Sequence, residues 1–215
     1  IAAGAVVLDV REPDEYDERI DIFGNRVVQF GLHRPHDGLT VQAITEAIVW
    51  AQELPRVDMA WERAAATLAG LRGPVALDVV PFAAPSRFVT VNANRLALFE
   101  LASSAFRPGR PIVEATVAFC TQIFETFAFD PSFTEVSTPL DSVLAERRGV
   151  CQDFAHLAVG CLRTLGLAAR YVSGYIETEP LPGEPKLIGV DATHAWCSVW
   201  IPDHGWLDFD PANGI

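Results

Sequence analysis

Apolar and polar positions alternate through the first fifty residues and then fall at helical spacing, so the chain changes character along its length. Val6-Val7-Leu8-Asp9-Val10 reads as a strand. Arg19 to Phe23 and Arg26 to Phe30 flank Gly24-Asn25, a two-residue hairpin signal. Leu39 to Ile44 and Glu46 to Trp50 continue the alternation as two further strands. Short strands joined by tight turns predict a small antiparallel β domain over residues 1–53. Residues 54–90 are rich in proline and predict only a short helix at Trp61 to Leu71. They read as a connecting segment.

From residue 91 to 215 the pattern predicts a second, α+β domain. A helix is expected near Asn94 to Ser103. Val113, Val117, Cys120, Ile123, Phe124 and Phe127 mark one face of a helix of about four turns. Pro139 and Asp141 open a short helix, with Asp141 as its cap, that ends near Arg147. Phe154, Leu157, Ala158, Cys161, Leu162 and Leu165 mark the next helix, and Gly166 stops it. Ala169 to Glu177, Thr193 to Trp200 and Trp206 to Asp210 read as strands, the last two joined by the turn Pro202-Asp203-His204-Gly205. Glu179 to Gly189 is a loop.

Half of the residues are hydrophobic and a fifth are charged, the balance of a globular protein. The formal net charge of −12 and the pI near 4.7 count against nucleic acid or an anionic membrane as partner, since both require a basic surface. Cys120, Cys151, Cys161 and Cys197 form no C-x-x-C pair, so neither a zinc site nor a disulfide scaffold is expected. Free thiols, with no signal-peptide or membrane-spanning pattern, lead to the expectation of a cytoplasmic protein. His33 and His36 flank a Pro35 turn and read as solvated rather than as metal ligands. No cofactor is expected.

The chemistry concentrates at Arg147-Arg148-Gly149-Val150-Cys151. Gly149 permits a backbone angle that other residues avoid. Cys151 falls at the start of a helix, where unpaired N–H groups and the positive end of the macrodipole favour the anionic, nucleophilic form of sulfur. Such a nucleophile needs a base, and the base needs an orienting group. His156 lies five residues on, roughly 140° around the helix, and points away. It shares a face with Asp153, and the two read as a support pair. His194, heading a strand, is the better base, and His204 lies in a turn. Asp208 and Asp210 compete as orienter. A symmetric hairpin pairing Ile201 with Trp206 would turn Asp210 away from His194, so a role for Asp210 demands an odd loop or a bulge between them. Tyr175, Trp196, Trp200 and Trp206 are candidate walls of a substrate groove.

Gly149-Val150-Cys151-Gln152-Asp153-Phe154-Ala155-His156, Arg170 to Tyr175, His194-Ala195-Trp196 and Gly205-Trp206 through Asp210-Pro211 resemble, in order and spacing, the motifs of the transglutaminase-like superfamily. The resemblance is closest to bacterial cysteine-protease-type members with an N-terminal β-rich domain. It implies a papain/transglutaminase-like core, with the nucleophile-bearing helix packed on an antiparallel sheet. It also implies Cys151 as nucleophile, His194 as general base and acid, and Asp210 as its orienter. The implied reaction is acyl transfer on a peptide or side-chain amide of a protein or peptide substrate through a thioester. Hydrolysis is favoured over cross-linking. The family's Asp-Pro-Thr reads Asp210-Pro211-Ala212 here. No carboxylate-rich loop with calcium-ligand spacing is present. Two other classes compete: a related Cys-His-Asp enzyme such as an arylamine acetyltransferase or peptide deglycosylase, and a non-catalytic module that keeps the fold.

Overall fold

The computed structural model describes residues 2–9, 13–47, 53–135, 138–175 and 193–215. Contacts divide the chain into two units, Ile1–Glu53 and Leu54–Ile215.

In the first unit β1 (Ala2–Asp9) pairs antiparallel with β4 (Thr40–Ala47), from Ala2 opposite Ala47 to Asp9 opposite Thr40. Between them β2 (Glu15–Ile20) and β3 (Arg26–Gly31) make a separate two-stranded hairpin. The expected division at residue 45 is absent, because β4 runs through it; residues 48–50 of the second expected strand lie outside the described residues. The hairpin turn is longer than Gly24-Asn25. Ile20 faces Arg26, leaving five residues in the loop. The Asp21 carboxylate causes this: Oδ1 accepts the N–H groups of Phe23 (2.8 Å) and Asn25 (2.9 Å), which lifts Ile22 and Phe23 out of the ladder. Gly24 takes the left-handed conformation that closes the loop.

In the second unit α6 (Cys151–Thr164) is the central helix. Around it lie α3 (Val91–Ser103), α4 (Ile112–Thr126), α5 (Leu140–Glu146) and a three-stranded antiparallel sheet. The sheet's order is β7 (Ala169–Tyr175), β8 (Thr193–Ile201), β9 (Gly205–Phe209), numbered after β5 (Ala128–Phe129) and β6 (Arg148–Gly149). Phe154, Leu157, Ala158, Cys161, Leu162 and Leu165 are buried, as their periodicity predicts. They join Phe119 and Ile123 of α4, Leu98 of α3, Cys197, Val199 and Ile201 of β8, and Phe209 of β9 in one core. Burying a side chain of this size stabilises by about 1.5–3 kcal/mol. Phe124, expected on the apolar face of α4, is exposed instead. Pro139 precedes α5, and Asp141 sits inside its first turn rather than capping it.

Residues 54–90 belong to this unit and are more than a connection. They form α1 (Trp61–Gly70), α2 (Pro74–Val79) and a 3-10 turn at Val80–Ala83. Leu68, Val79, Phe82 and Ala83 pack on Trp200 and Trp206, covering the opposite face of the sheet from Cys197 and Val199. The second half of β8 is therefore buried on both sides, which is why Ala195 through Ile201 read as a nearly unbroken apolar run. The Trp61 indole N–H donates to the Arg107 carbonyl (3.0 Å), and the Ile112 N–H to the Met59 carbonyl (2.8 Å), tying α1 to the start of α4.

Candidate active site

Cys151 is the first residue of α6 and is half-buried. The chain is led to it by a short fixture. Arg147 ends α5 in the left-handed conformation, φ 51°. β6 then pairs in parallel with β5, Ala128 opposite Arg148 and Phe129 opposite Gly149. The Asp130 N–H donates to the Gly149 carbonyl (2.8 Å). Extended Val150 caps the helix, and its N–H donates to Asp153 Oδ2 (2.8 Å). Asp153 is fully enclosed, and a Cβ at position 149 would lie 2.8 Å from its Cβ and 2.9 Å from Oδ2. Glycine at 149 is thus required by close approach of a side chain. The unusual backbone angle expected there belongs to Arg147.

His156 and Asp153 take separate partners. The His156 ring stacks on Phe88 (centroids 5.6 Å apart, planes at 13°) and leans on Tyr171 (4.9 Å, 31°). Burial holds the imidazole below its ordinary pKa, against the opposing pull of the Asp153 charge. The Tyr171 phenol is pushed up, chiefly by burial, where β7 sets its ring against His156 of α6.

On the sheet, His194 Nε2 and Asp210 Oδ2 are 2.7 Å apart, and both side chains are nearly enclosed. The hairpin between them has the odd loop that this pairing demands. Ile201 faces Gly205 across three residues, Pro202-Asp203-His204, with Asp203 at φ 65° and Gly205 at φ 79°. Cys197 then faces Phe209, and continuing that register sets Asp210 on the side of Trp196 and His194. Asp208 and His204 are exposed. Trp196 lies beside His194 (ring centroids 6.1 Å, planes at 25°) and over Gly174, the register partner of His194. A Cβ at 174 would fall 2.6 Å from the indole Cη2, so glycine there makes room for the ring.

The other expected groove walls separate. Tyr175 is exposed at the end of β7. Trp200 is buried. Trp206 is covered by the Arg170 guanidinium (4.4 Å) and by Phe82. Sequence reading missed the groups that hold Asp210: the N–H of Ala212 (2.9 Å) and the side-chain amide of Asn213 (2.6 Å). The signal available was the turn composition of Asp210-Pro211-Ala212-Asn213-Gly214. Since Ala212 contributes through its backbone, the hydroxyl of the usual threonine is not needed for that contact.

Elsewhere, the His33 N–H bonds Asp14 Oδ2, and the His33 and His36 rings meet Glu15 and the Arg34 carbonyl. Among the described residues no cluster of three or more His, Cys, Asp or Glu is arranged to hold a metal, and no helix is long and apolar enough to cross a membrane.

A protein of Mycobacterium bovis with no assigned function is 38% identical over 222 residues, spanning 98% of this chain and 67% of its own length. A protein-glutamine gamma-glutamyltransferase of Pseudomonas aeruginosa is 36% identical over 107 residues, 47% of this chain and 16% of its own length. Among solved structures, one from Cytophaga hutchinsonii, provisionally described as a cysteine protease, aligns with a TM-score of 0.65 at 21% identity. It covers 99% of this chain and 66% of that one, a likeness of fold. With the Transglutaminase-like superfamily matched over residues 100–211, just over half its length, and the α+β core of that fold in place, the chain belongs to the transglutaminase-like superfamily.

Proposed function

We propose that this protein carries out cysteine-dependent acyl transfer on peptide or side-chain amides, with Cys151 as nucleophile, His194 as general base and acid, and Asp210 as orienter. The observation that carries the proposal is the 2.7 Å contact between His194 on β8 and Asp210 just past β9, in the unit whose central helix Cys151 heads. An enclosed carboxylate on one imidazole nitrogen fixes the ring's tautomer and leaves the other nitrogen for the thiol proton. In the first step sulfur attacks the amide carbonyl and His194 takes the thiol proton. Backbone N–H groups at the head of α6 face the developing oxyanion. His194 then returns the proton to the departing amine or ammonia, leaving a thioester.

Water, activated by the same imidazole, resolves the thioester in the reading we favour, which makes the protein a protease or amidase of protein or peptide substrates. The partial likeness to a protein-glutamine gamma-glutamyltransferase supports a second reading, in which an amine resolves it. Incubation with a glutamine peptide, with and without excess primary amine, separates them by mass spectrometry: a deamidated product, a cleaved peptide or an amine adduct. No product of any kind across a broad peptide set, with Cys151 reduced, would leave the non-catalytic module standing. We also propose, from the four free thiols, a reducing compartment such as the cytoplasm, which subcellular fractionation tests directly.

A further inference from the structure

Asp210 is held more tightly than an imidazole alone would hold it. Its Oδ2 accepts from His194 Nε2 (2.7 Å) and Asn213 Nδ2 (2.6 Å), and its Oδ1 accepts from the N–H groups of Ala212 (2.9 Å) and Asn213 (3.3 Å). A carboxylate offers about four acceptor positions, so these four donors fill it. Only the nitrogen of the Asn213 amide can face Oδ2, because its carbonyl would oppose the carboxylate. Asn213 therefore bonds the same oxygen that orients His194.

The turn that carries Asn213 is anchored from outside the sheet. Gly214 is left-handed (φ 73°) and lies so close to α4 that a Cβ there would be 3.1 Å from the Phe124 Cβ. The Thr121 hydroxyl, also on α4, donates to the Gly214 carbonyl (3.2 Å). The Ile215 N–H returns to the Asp210 carbonyl (3.1 Å), closing the loop on itself. These bonds use backbone groups of the turn and survive loss of the Asn213 side chain. Keeping the turn and fixing the carboxylate are thus separable tasks, and the amide serves the second.

We infer that Asn213 is a positioning residue for the His194–Asp210 pair: its side-chain amide, on a turn anchored to α4, fixes the carboxylate orientation that presents Oδ2 to the imidazole. The inference rests on the proposed reaction only where turnover is read. Asn213→Ala keeps the backbone donors and removes the amide. Asn213→Asp sets a second carboxylate against Oδ2 and can donate to it only when protonated.

The first test is proton NMR of the whole chain, following the downfield imidazole N–H that His194→Ala abolishes. Asn213→Ala should shift that resonance or lose it to exchange while the melting temperature moves by no more than about 3 °C. In a peptide-amide assay kcat should fall about tenfold, with KM within about twofold. Asn213→Asp should be worse than Asn213→Ala at neutral pH and recover relative to it as the pH is lowered. An unchanged resonance in Asn213→Ala, or a resonance lost only together with the fold, overturns the assignment. If Cys151→Ala retains full turnover, the acyl-transfer reading falls, whereas the NMR comparison still decides the role of Asn213.

Discussion

The two ends of α6 carry a cysteine each, and the contrast between them teaches what makes a thiol available. Cys151, at the N-terminal end, is half-buried, and the contacts that secure this end pass around it. Asp153 reaches back to the Val150 N–H, and the Asp130 N–H fixes the Gly149 carbonyl. Cys161, ten residues later, is wholly enclosed, and burial alone drives its thiol well above the usual range. This end is tied to its surroundings by Arg163, whose Nε and Nη2 donate to the Ala169 carbonyl (3.1 and 2.9 Å) and whose Nη1 donates to the Ala84 carbonyl (2.8 Å) and the Ser86 hydroxyl (3.2 Å). The residue type is the same, yet one side chain is left open at the head of the helix and the other is shut into the core.

The sharpest way to break this comparison is to exchange the cysteines' fates. Cys151→Ala should lower acyl transfer by about a thousandfold or more. Cys161→Ala should leave activity within about threefold and cost stability instead, by a fraction of the 2–5 kcal/mol of larger core truncations. Iodoacetamide followed by peptide mapping should mark Cys151 in the folded chain and Cys161 only after denaturation. Equal labelling of both in the native state would end the contrast.

Next in size is the brace at the open end. Gly149→Ala drives a methyl into the Asp153 side chain, and should destabilise by about 1–3 kcal/mol in urea unfolding. Because the displaced carboxylate holds the N–H of Val150, the residue just before Cys151, activity at a temperature where the variant is still folded should fall as well. Unfolding curves that overlay the wild type would show that position 149 has room to spare.

At the closed end, Arg163→Met keeps the aliphatic stem and removes the four bonds. The expected loss is about 1–2 kcal/mol, since hydrogen bonds from a charged group contribute about that net of solvation. Burial lowers this guanidinium's pKa to about 10, and part of the gain from its bonds offsets that cost. Turnover should stay near wild type. A selective collapse of kcat in this variant would show that the closed end governs the open one.

The smallest effect is a titration. Burial holds His156 below the ordinary histidine value of 6.5, so the unfolded chain binds a proton more readily than the folded one. The stability contributed by the neutral ring is complete above that ordinary value and is lost as pH falls through the lowered, folded one. Asp153 and Arg163, the charges that act on it, pull in opposite directions. His156→Phe keeps a ring between Phe88 and Tyr171, and should reduce the fall in melting temperature between pH 7.5 and 5 by about 2 °C. Melting profiles of the two proteins that run parallel across this range would remove His156 from the acid sensitivity.

Much of this arrangement was legible in the chain. The core face of α6 follows from periodicity alone. Counting alternation along two strands was enough to require an odd loop if His194 and Asp210 were to meet, and the loop has three residues. Three things were hidden because they depend on contacts distant in sequence or on side-chain geometry. Gly149 looked like a residue needed for a backbone angle, whereas it makes space for Asp153. Residues 54–90 looked like a tether, since nothing local reveals that Leu68 and Phe82 cover Trp200 and Trp206 from the far side of the sheet. Asp153 and His156 looked like partners by helical spacing, yet one bonds backward to Val150 and the other meets rings from residue 88 and from β7.

The three-residue connection at Pro202-Asp203-His204 also bears on what kinds of change this site tolerates. Substitutions in that tip leave the count intact. Deleting or inserting a single residue there shifts the pairing by one and swings the terminal carboxylate to the opposite side of the ribbon, with every chemical group still present. Natural variation at this hairpin should therefore be stricter in length than in letters, with small or turn-forming residues kept where the chain is left-handed at 203 and 205.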